Sequence, residues 1–422
     1  MSPPRAATVA FALLAVGIIG AGCGMSSGDG GAHAMPSSHP APAPPTAWSA
    51  FALPAEFKDR QSTVYAQIDD THALAYGGEL PGIDKVEHND GVLVDLVTGT
   101  VTDLPGPKVR GALARASAAT EAGSNDVAVA GLQCVSPSED PKYVGENSPL
   151  DGCSPGPLTI AIYEGANRAW SRPKEAPFDY GQAFAPTIIG FVDGRVYIEV
   201  SVYDPSPHDD YVSFEVSTGR WARIAPPPGP VSACLGESRV VGLVYDVHSD
   251  SGQTSYSNPS VVTYDPIKDT WSTHPVPKMS RSEYPYGRSC TEHWVVINDN
   301  RPAQPNLYYA FSLVDGNWTE LSAPPVNQLL GALQASAGDT LVTWNTVNVP
   351  SVDDATPASI TIGADAKWTA RVPTPVTEDG SADADFQPHA HAGTRIVSFY
   401  KGTALTADLS KLADRAEAKT HS

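Results

Sequence analysis

The chain has 422 residues, with 27 Lys and Arg against 47 Asp and Glu, for a formal net charge of −20. That balance excludes nucleic acid as a partner, because no basic patch exists to displace phosphate counterions. It also excludes a polybasic membrane contact. The 39 prolines and 36 glycines suit many short elements joined by turns, and a 41% hydrophobic content is enough for a core.

The chain opens "MSPPRAATVAFALLAVGIIGAGCG". One basic residue, Arg5, precedes an apolar run from Ala6 to Ile19, and small residues lead to Cys23. The run is shorter than the ~20 residues a membrane-spanning helix needs and has the form of a signal-peptide core. The segment resembles a bacterial lipoprotein signal, with Gly20 where that family carries Leu or Val. The resemblance implies that residues 1–22 are removed, that Cys23 is lipidated, and that the protein is extracytoplasmic and lipid-anchored to a bacterial cell membrane. The alternative is an ordinary cleaved signal with an incidental cysteine. Residues 23–45 are Gly, Ser, Pro, Ala and His with almost no large apolar side chain, a composition that stays a flexible linker.

From residue 46 to 410 one pattern recurs: a hydrophobic alternating strand, a tight polar turn, a Trp-led strand, then prolines. It is seen in "LTIAIYEGANRAWSRPKEAP" from Leu158, "YVSFEVSTGRWARIAPPPGP" from Tyr211, "VVTYDPIKDTWSTHPVP" from Val261, "YYAFSLVDGNWTELSAPP" from Tyr308 and "ITIGADAKWTARVPTP" from Ile360. In "GVLVDLVTGTVTDLPGP" from Gly91, Val101 replaces the Trp. Trp170, Trp221, Trp271, Trp318 and Trp368 are 51, 50, 47 and 50 residues apart. A period near 50 signals a repeat architecture. Two more alternating runs precede each hairpin, so each unit predicts four antiparallel strands. The last unit, "TRIVSFYKGTALTADLS", lacks a Trp-led strand, while "TAWSAFALPAEF" near the start is such a strand with nothing before it. The expectation is an all-β, seven-bladed β-propeller closed by the N-terminal strand pairing with the C-terminal blade, followed by a polar tail, 411–422.

The pattern resembles the kelch / galactose-oxidase-type β-propeller, with the family's diglycine present as Gly77-Gly78. The galactose oxidase copper site is not carried over, since no cysteine is clearly free to form the family's Tyr–Cys cross-link. In such blades the loops between the second and third strands share one rim, where the long polar stretches fall: "DPSPHDD" from Asp204, "DVHSDSGQTSYSNP" from Asp246, "NDNRPAQPN" from Asn298 and "NTVNVPSVDDATP" from Asn345. Loops on a rigid scaffold commonly carry binding. Candidate ligand-binding residues are Asp204, His208, Asp209, Asp210, Arg288 and Arg301. The first four could offer oxygen ligands to Ca²⁺. Arg288, with Arg110, Arg115 and Arg281, begins or precedes predicted inner strands and could hold a carboxylate or sugar acid. His389 and His391 alternate on a predicted inner strand and could ligate a metal ion, Zn or Cu, in the channel. Structural hydrogen bonding and salt bridges are the ordinary roles of all these residues.

Four cysteines follow Cys23: Cys134, Cys153, Cys234 and Cys290. An even number in an exported chain favours disulfides. Three pairings are possible. Cys134 with Cys153 closes one Pro/Gly/Ser-rich stretch, leaving Cys234 with Cys290. No Ser/His/Asp order, phosphate loop or CxxC pair occurs. The sequence therefore points to a monomeric binding or scaffold module for a protein or glycan, without a cofactor. The alternative is an exported enzyme on sugars or sugar acids (an epimerase, lyase or oxidase) working at the channel mouth.

Overall fold

The computed structural model describes residues 48–60, 63–78, 88–121, 124–135, 154–180, 184–203, 206–229, 234–236, 239–250, 253–279, 281–282, 286–291, 293–299, 307–321, 335–337, 340–343, 358–361, 370–371, 388–389, 395–400 and 402–408. The signal segment, the linker and the tail, with Cys23, Cys153, Asp204, Arg301 and His391, lie outside the described residues. Pro45–Ser422 forms one compact unit. Among the described residues no helix is long and apolar enough to cross a membrane.

The first strand, β1 (Trp48–Ala52), is followed by a short helix, α1 (Ala55–Asp59). Sheet I is β2 (Val64–Gln67), β3 (His72–Tyr76), β4 (Asp90–Asp95) and β5 (Val101–Pro105). Sheet II is β6 (Ala112–Thr120), β7 (Val127–Val135) and β8 (Ser154–Glu164), with β9 (Ala169–Trp170) and β10 (Lys174–Glu175) both paired to β8. Sheet III is β11 (Phe184–Val192), β12 (Arg195–Val202), β13 (His208–Glu215) and β14 (Arg220–Arg223). Sheet IV is β15 (Cys234–Gly236), β16 (Arg239–Asp250), β17 (Gln253–Asp265) and β18 (Thr270–Pro275). Sheet V is β19 (Gly287–Cys290), β20 (Trp294–Asn298), β21 (Tyr308–Ser312) and β22 (Trp318–Leu321). Sheet VI is β23 (Ala335–Ala337), β24 (Thr340–Thr343), β25 (Ala358–Thr361) and β26 (Ala370–Arg371). Sheet VII is β27 (Pro388–His389), β28 (Arg395–Tyr400) and β29 (Thr403–Asp408), and β1 pairs with β29 in the register Trp48↔Ala407 to Ala52↔Thr403. The protein is thus all-β, built of four-stranded antiparallel sheets, an arrangement consistent with a β-propeller.

The period of two in the sequence buries both faces of sheets I to IV. In sheet I, Ala73, Ala75, Val92 and Val94 pack on Val397, Phe399 and Ala404 of sheet VII. Their neighbours Leu74 and Tyr76 pack on Leu113, Val127, Val129 and Tyr163 of sheet II. In the same way Val196, Ile198 and Val200 face sheet II, while Tyr197 and Tyr211 face sheet IV. Val241, Leu243 and Val261 then cover Val295, Ile297 and Phe311 of sheet V. Alternation on a pleated strand is what allows one sequence run to serve two interfaces.

The tryptophans have a specific task. Trp271 is only partly buried, but its indole N–H donates to the Ala225 carbonyl at 2.8 Å. Two residues earlier, Asp269 accepts the Ala225 N–H at 2.8 Å. The turn of sheet IV thereby holds both backbone groups of one residue in the link leaving sheet III. Trp170 makes the matching bond to the Pro105 carbonyl, 2.8 Å. Trp221 occupies the same place in sheet III, yet its Nε1 has no hydrogen-bond partner among the described residues. Where the first two strands of sheet III meet, Asp193 and Gly194 both take positive φ, 50° and 70°, as a tight two-residue hairpin requires.

Two expected loops prove to be strand. His208, Asp209 and Asp210 open β13, paired with Val202, Ser201 and Val200. The stretch from Asp246 is a two-stranded ribbon: β16 and β17 stay paired out to Asp250↔Gln253, past a bulge at Tyr245. Exposed polar side chains there gave the appearance of a loop, but a backbone hydrogen-bond ladder needs no buried face to persist.

Candidate functional site

Each sheet has two ends. One end, here the upper rim, carries the connections between second and third strands and the links between sheets. The lower rim carries tight turns such as Thr218–Gly219 and Asp315–Gly316, where both glycines have positive φ. On the upper rim the connections are long in sheet I, Gly77–Asn89, and in sheet IV, where the ribbon rises beyond β15 and β18.

Two packed sheet interfaces reach that rim, one on each side of sheet IV. Between sheets IV and V, the ribbon residue Tyr256 exchanges backbone hydrogen bonds with Ser282, 2.8 and 2.9 Å. Arg281 Nε donates to Ser255 Oγ at 2.7 Å, and the Tyr286 hydroxyl donates to the Tyr256 carbonyl at 3.1 Å. The rings of Tyr245 and Tyr256 meet edge-on at 5.3 Å, and Tyr245 and Tyr286 lie 5.8 Å apart. Burial pushes the Tyr286 phenol up to about 12, helped by the Asp299 charge. Below this wall sits Arg288 on β19. Its Nε and Nη1 are sealed from solvent without a hydrogen-bond partner among the described residues. Burial lowers its pKa to about 10, opposed by the Tyr245 phenol.

Between sheets III and IV, Glu199 of β12 lies opposite Tyr211 of β13, and Asp209 lies opposite Ser201. Burial first, and then the Asp209 charge, push the Glu199 carboxyl up to about 7, although the Tyr211 hydroxyl donates to it. Ser201 Oγ donates to Asp209 at 2.8 Å. A carboxyl that titrates near neutrality suits general acid–base work.

The expected calcium set does not converge among the described residues. Asp209 turns toward sheet IV with Tyr211, while Asp210 is paired with Arg223. His208 is exposed, with Nδ1 against the Ser206 carbonyl at 2.7 Å. No group of three His, Cys, Asp or Glu side chains is gathered for a metal among the described residues. His389 is in β27, opposite Val397, and its intended partner His391 is outside the described residues. Arg110 and Arg115 belong to the start of sheet II and Arg281 and Arg288 to the start of sheet V, so the four arginines divide into two pairs. Cys134 and Cys290 are both disulfide-bonded. β15, which begins at Cys234, touches β19, which ends at Cys290.

Sequence reasoning missed Tyr245, Tyr256, Tyr286 and Glu199. Glu199 carried a visible signal, as one carboxylate inside the otherwise apolar run "RVYIEVSV". The tyrosines carried none, because their meeting depends on a ribbon docking onto a link 26 residues away in sequence.

No protein-family model matches the chain. No curated protein matches it either. The solved structure of YjhT aligns with 13% identity and a TM-score of 0.36, over 62% of this chain and 84% of its own.

Proposed function

We propose that this is a surface-anchored extracytoplasmic lipoprotein whose seven-bladed, kelch / galactose-oxidase-type propeller binds a protein or glycan on its upper rim. The ring reading draws on the first strands of successive sheets, which touch in cyclic order: β2 with β6, β6 with β11, β11 with β15, β15 with β19, β19 with β23, β23 with β27, and β27 with β2. It draws also on β1, which supplies the outer strand of sheet VII and leaves no open sheet edge at the seam. The pairings Cys134–Cys153 and Cys234–Cys290 belong to this proposal.

The observation that carries the binding reading is the difference between the rims. The lower rim is closed by short turns, and the upper rim raises a ribbon on which Asp246, Val247 and His248 are exposed and Tyr245 and Tyr256 partly buried. Shortening the ribbon, by replacing residues 247–256 with a two-residue turn, should abolish binding in a glycan array and in capture from a cell-envelope extract. Lengthening the turn at Lys268 on the lower rim should leave binding unchanged. The opposite pattern refutes the rim assignment.

A second reading, an exported enzyme on sugars or sugar acids, is favoured by Glu199 alone. Its carboxyl, held near 7 beside Asp209 and Tyr211, has the proton affinity of a general acid at neutral pH.

A further inference from the structure

We infer that the interface between sheets IV and V holds a monocarboxylate-binding site, with Arg288 receiving the carboxylate and Tyr245 and Tyr256, backed by Tyr286, contacting the body of the ligand. The inference deepens the upper-rim reading and rests on it.

Arg288 alternates on β19 with Cys290, and Cys290 and Tyr286 pack with Val241 and Leu243 of β16. The side chain therefore lies on the face of sheet V turned toward sheet IV, within electrostatic range of the Tyr245 phenol. Other arginines of the protein meet carboxylates: Arg60 with Asp90, Arg195 with Glu215, Arg223 with Asp210, and Arg395 with Asp408. Arg288 meets none among the described residues, in a chain with 47 acidic side chains. Its Nε and Nη1 are buried and unsatisfied among the described residues, a state that costs free energy until an acceptor arrives. The residue as a whole keeps partial exposure.

The chemistry of the acceptor follows from charge and shape. One guanidinium neutralises one negative charge. Arg281, on the link before β19, already gives its Nε to Ser255. A phosphate dianion would bring a second, uncompensated charge into a chain of net charge −20. A planar carboxylate matches the planar guanidinium. Tyr245 and Tyr256 are partly exposed and offer ring faces or edges to a sugar or other ring attached to it, over the buried Tyr286.

The test uses matched probes on the purified full-length protein, read by thermal shift and calorimetry. Glucuronate is compared with glucose, benzoate with benzyl alcohol, and inorganic phosphate is added as a third anion. At least one carboxylate should raise the melting temperature, while its neutral counterpart and phosphate should not. Arg288→Met should abolish that shift, and Arg288→Lys should weaken affinity by about tenfold or more, since the ammonium keeps the charge and loses the planar fork. Without ligand, Arg288→Met should melt at or above the wild-type temperature, because it removes a buried unpaired charge. Arg288→Met that melts lower, or fails to fold, makes the guanidinium structural and overturns the inference. So does a panel in which phosphate protects and no carboxylate does, or in which nothing binds. Carboxylate binding that survives Arg288→Met but is lost on shortening the ribbon also overturns it, and leaves the rim reading standing.

Discussion

Glu199 shows how a single residue can be read from the sequence but not explained by it. In "RVYIEVSV" it breaks the apolar run, so an unusual environment is visible at once. The environment itself comes from the hairpin register, which sets Glu199 opposite Tyr211 and Ser201 opposite Asp209. Burial and the Asp209 charge raise its pKa to about 7 from an ordinary value of 4.5. The folded protein therefore holds the proton more tightly than the unfolded chain. Stability is unaffected below about pH 4, where both states are protonated, falls as pH rises from about 4.5 to about 7, and is level again above. The site is half open to solvent, so the loss is on the order of 1 kcal/mol after screening. Glu199→Gln should flatten the pH dependence of the melting temperature between pH 4.5 and 7.5 and raise it at pH 8. An unchanged slope would show that Glu199 titrates normally. Should the enzymatic reading hold, the same variant abolishes turnover while retaining the fold.

At the scale of elements, β1 has the largest consequence for its length. It covers the edge of β29 over five residues, and the Leu53 N–H continues the bond pattern to the Gly402 carbonyl at 2.7 Å. Phe51 lies against Gly99, where any side chain would collide with the ring at 2.3 Å. Deleting the chain through Pro54 uncovers a strand edge and removes this packing. The truncated protein should melt lower and form aggregates detectable by light scattering, because an unpaired edge templates further pairing. Melting and solution behaviour like the parent's would refute seam closure by β1. The other elements were unequally legible. Turn pairs such as Asp193-Gly194 announced their hairpins, since few residues accept positive φ. The outer half of the β16–β17 ribbon is mostly polar, so the alternation that marks a half-buried strand is weak in its sequence.

For the whole molecule, the proposed lipid anchor and the ring make separate claims. Cys23→Ser should move the protein from the membrane to the soluble fraction, because it removes the thiol that the proposed lipid would occupy. Retention of the variant in washed membranes would count against lipidation at Cys23. The sequence by itself determined the all-β class, the repeat of about 50 residues, the four strands per unit and the detached outer strand at Trp48. All of these follow from local periodicity and turn chemistry, which operate within a few residues. Tertiary structure alone decided which side chains share an interface. The tyrosine wall, the buried Arg288 and the Glu199–Asp209 pair unite residues from different strands or different sheets. Their distances are set by register, by a bulge and by sheet-on-sheet packing, so no spacing along the chain records them.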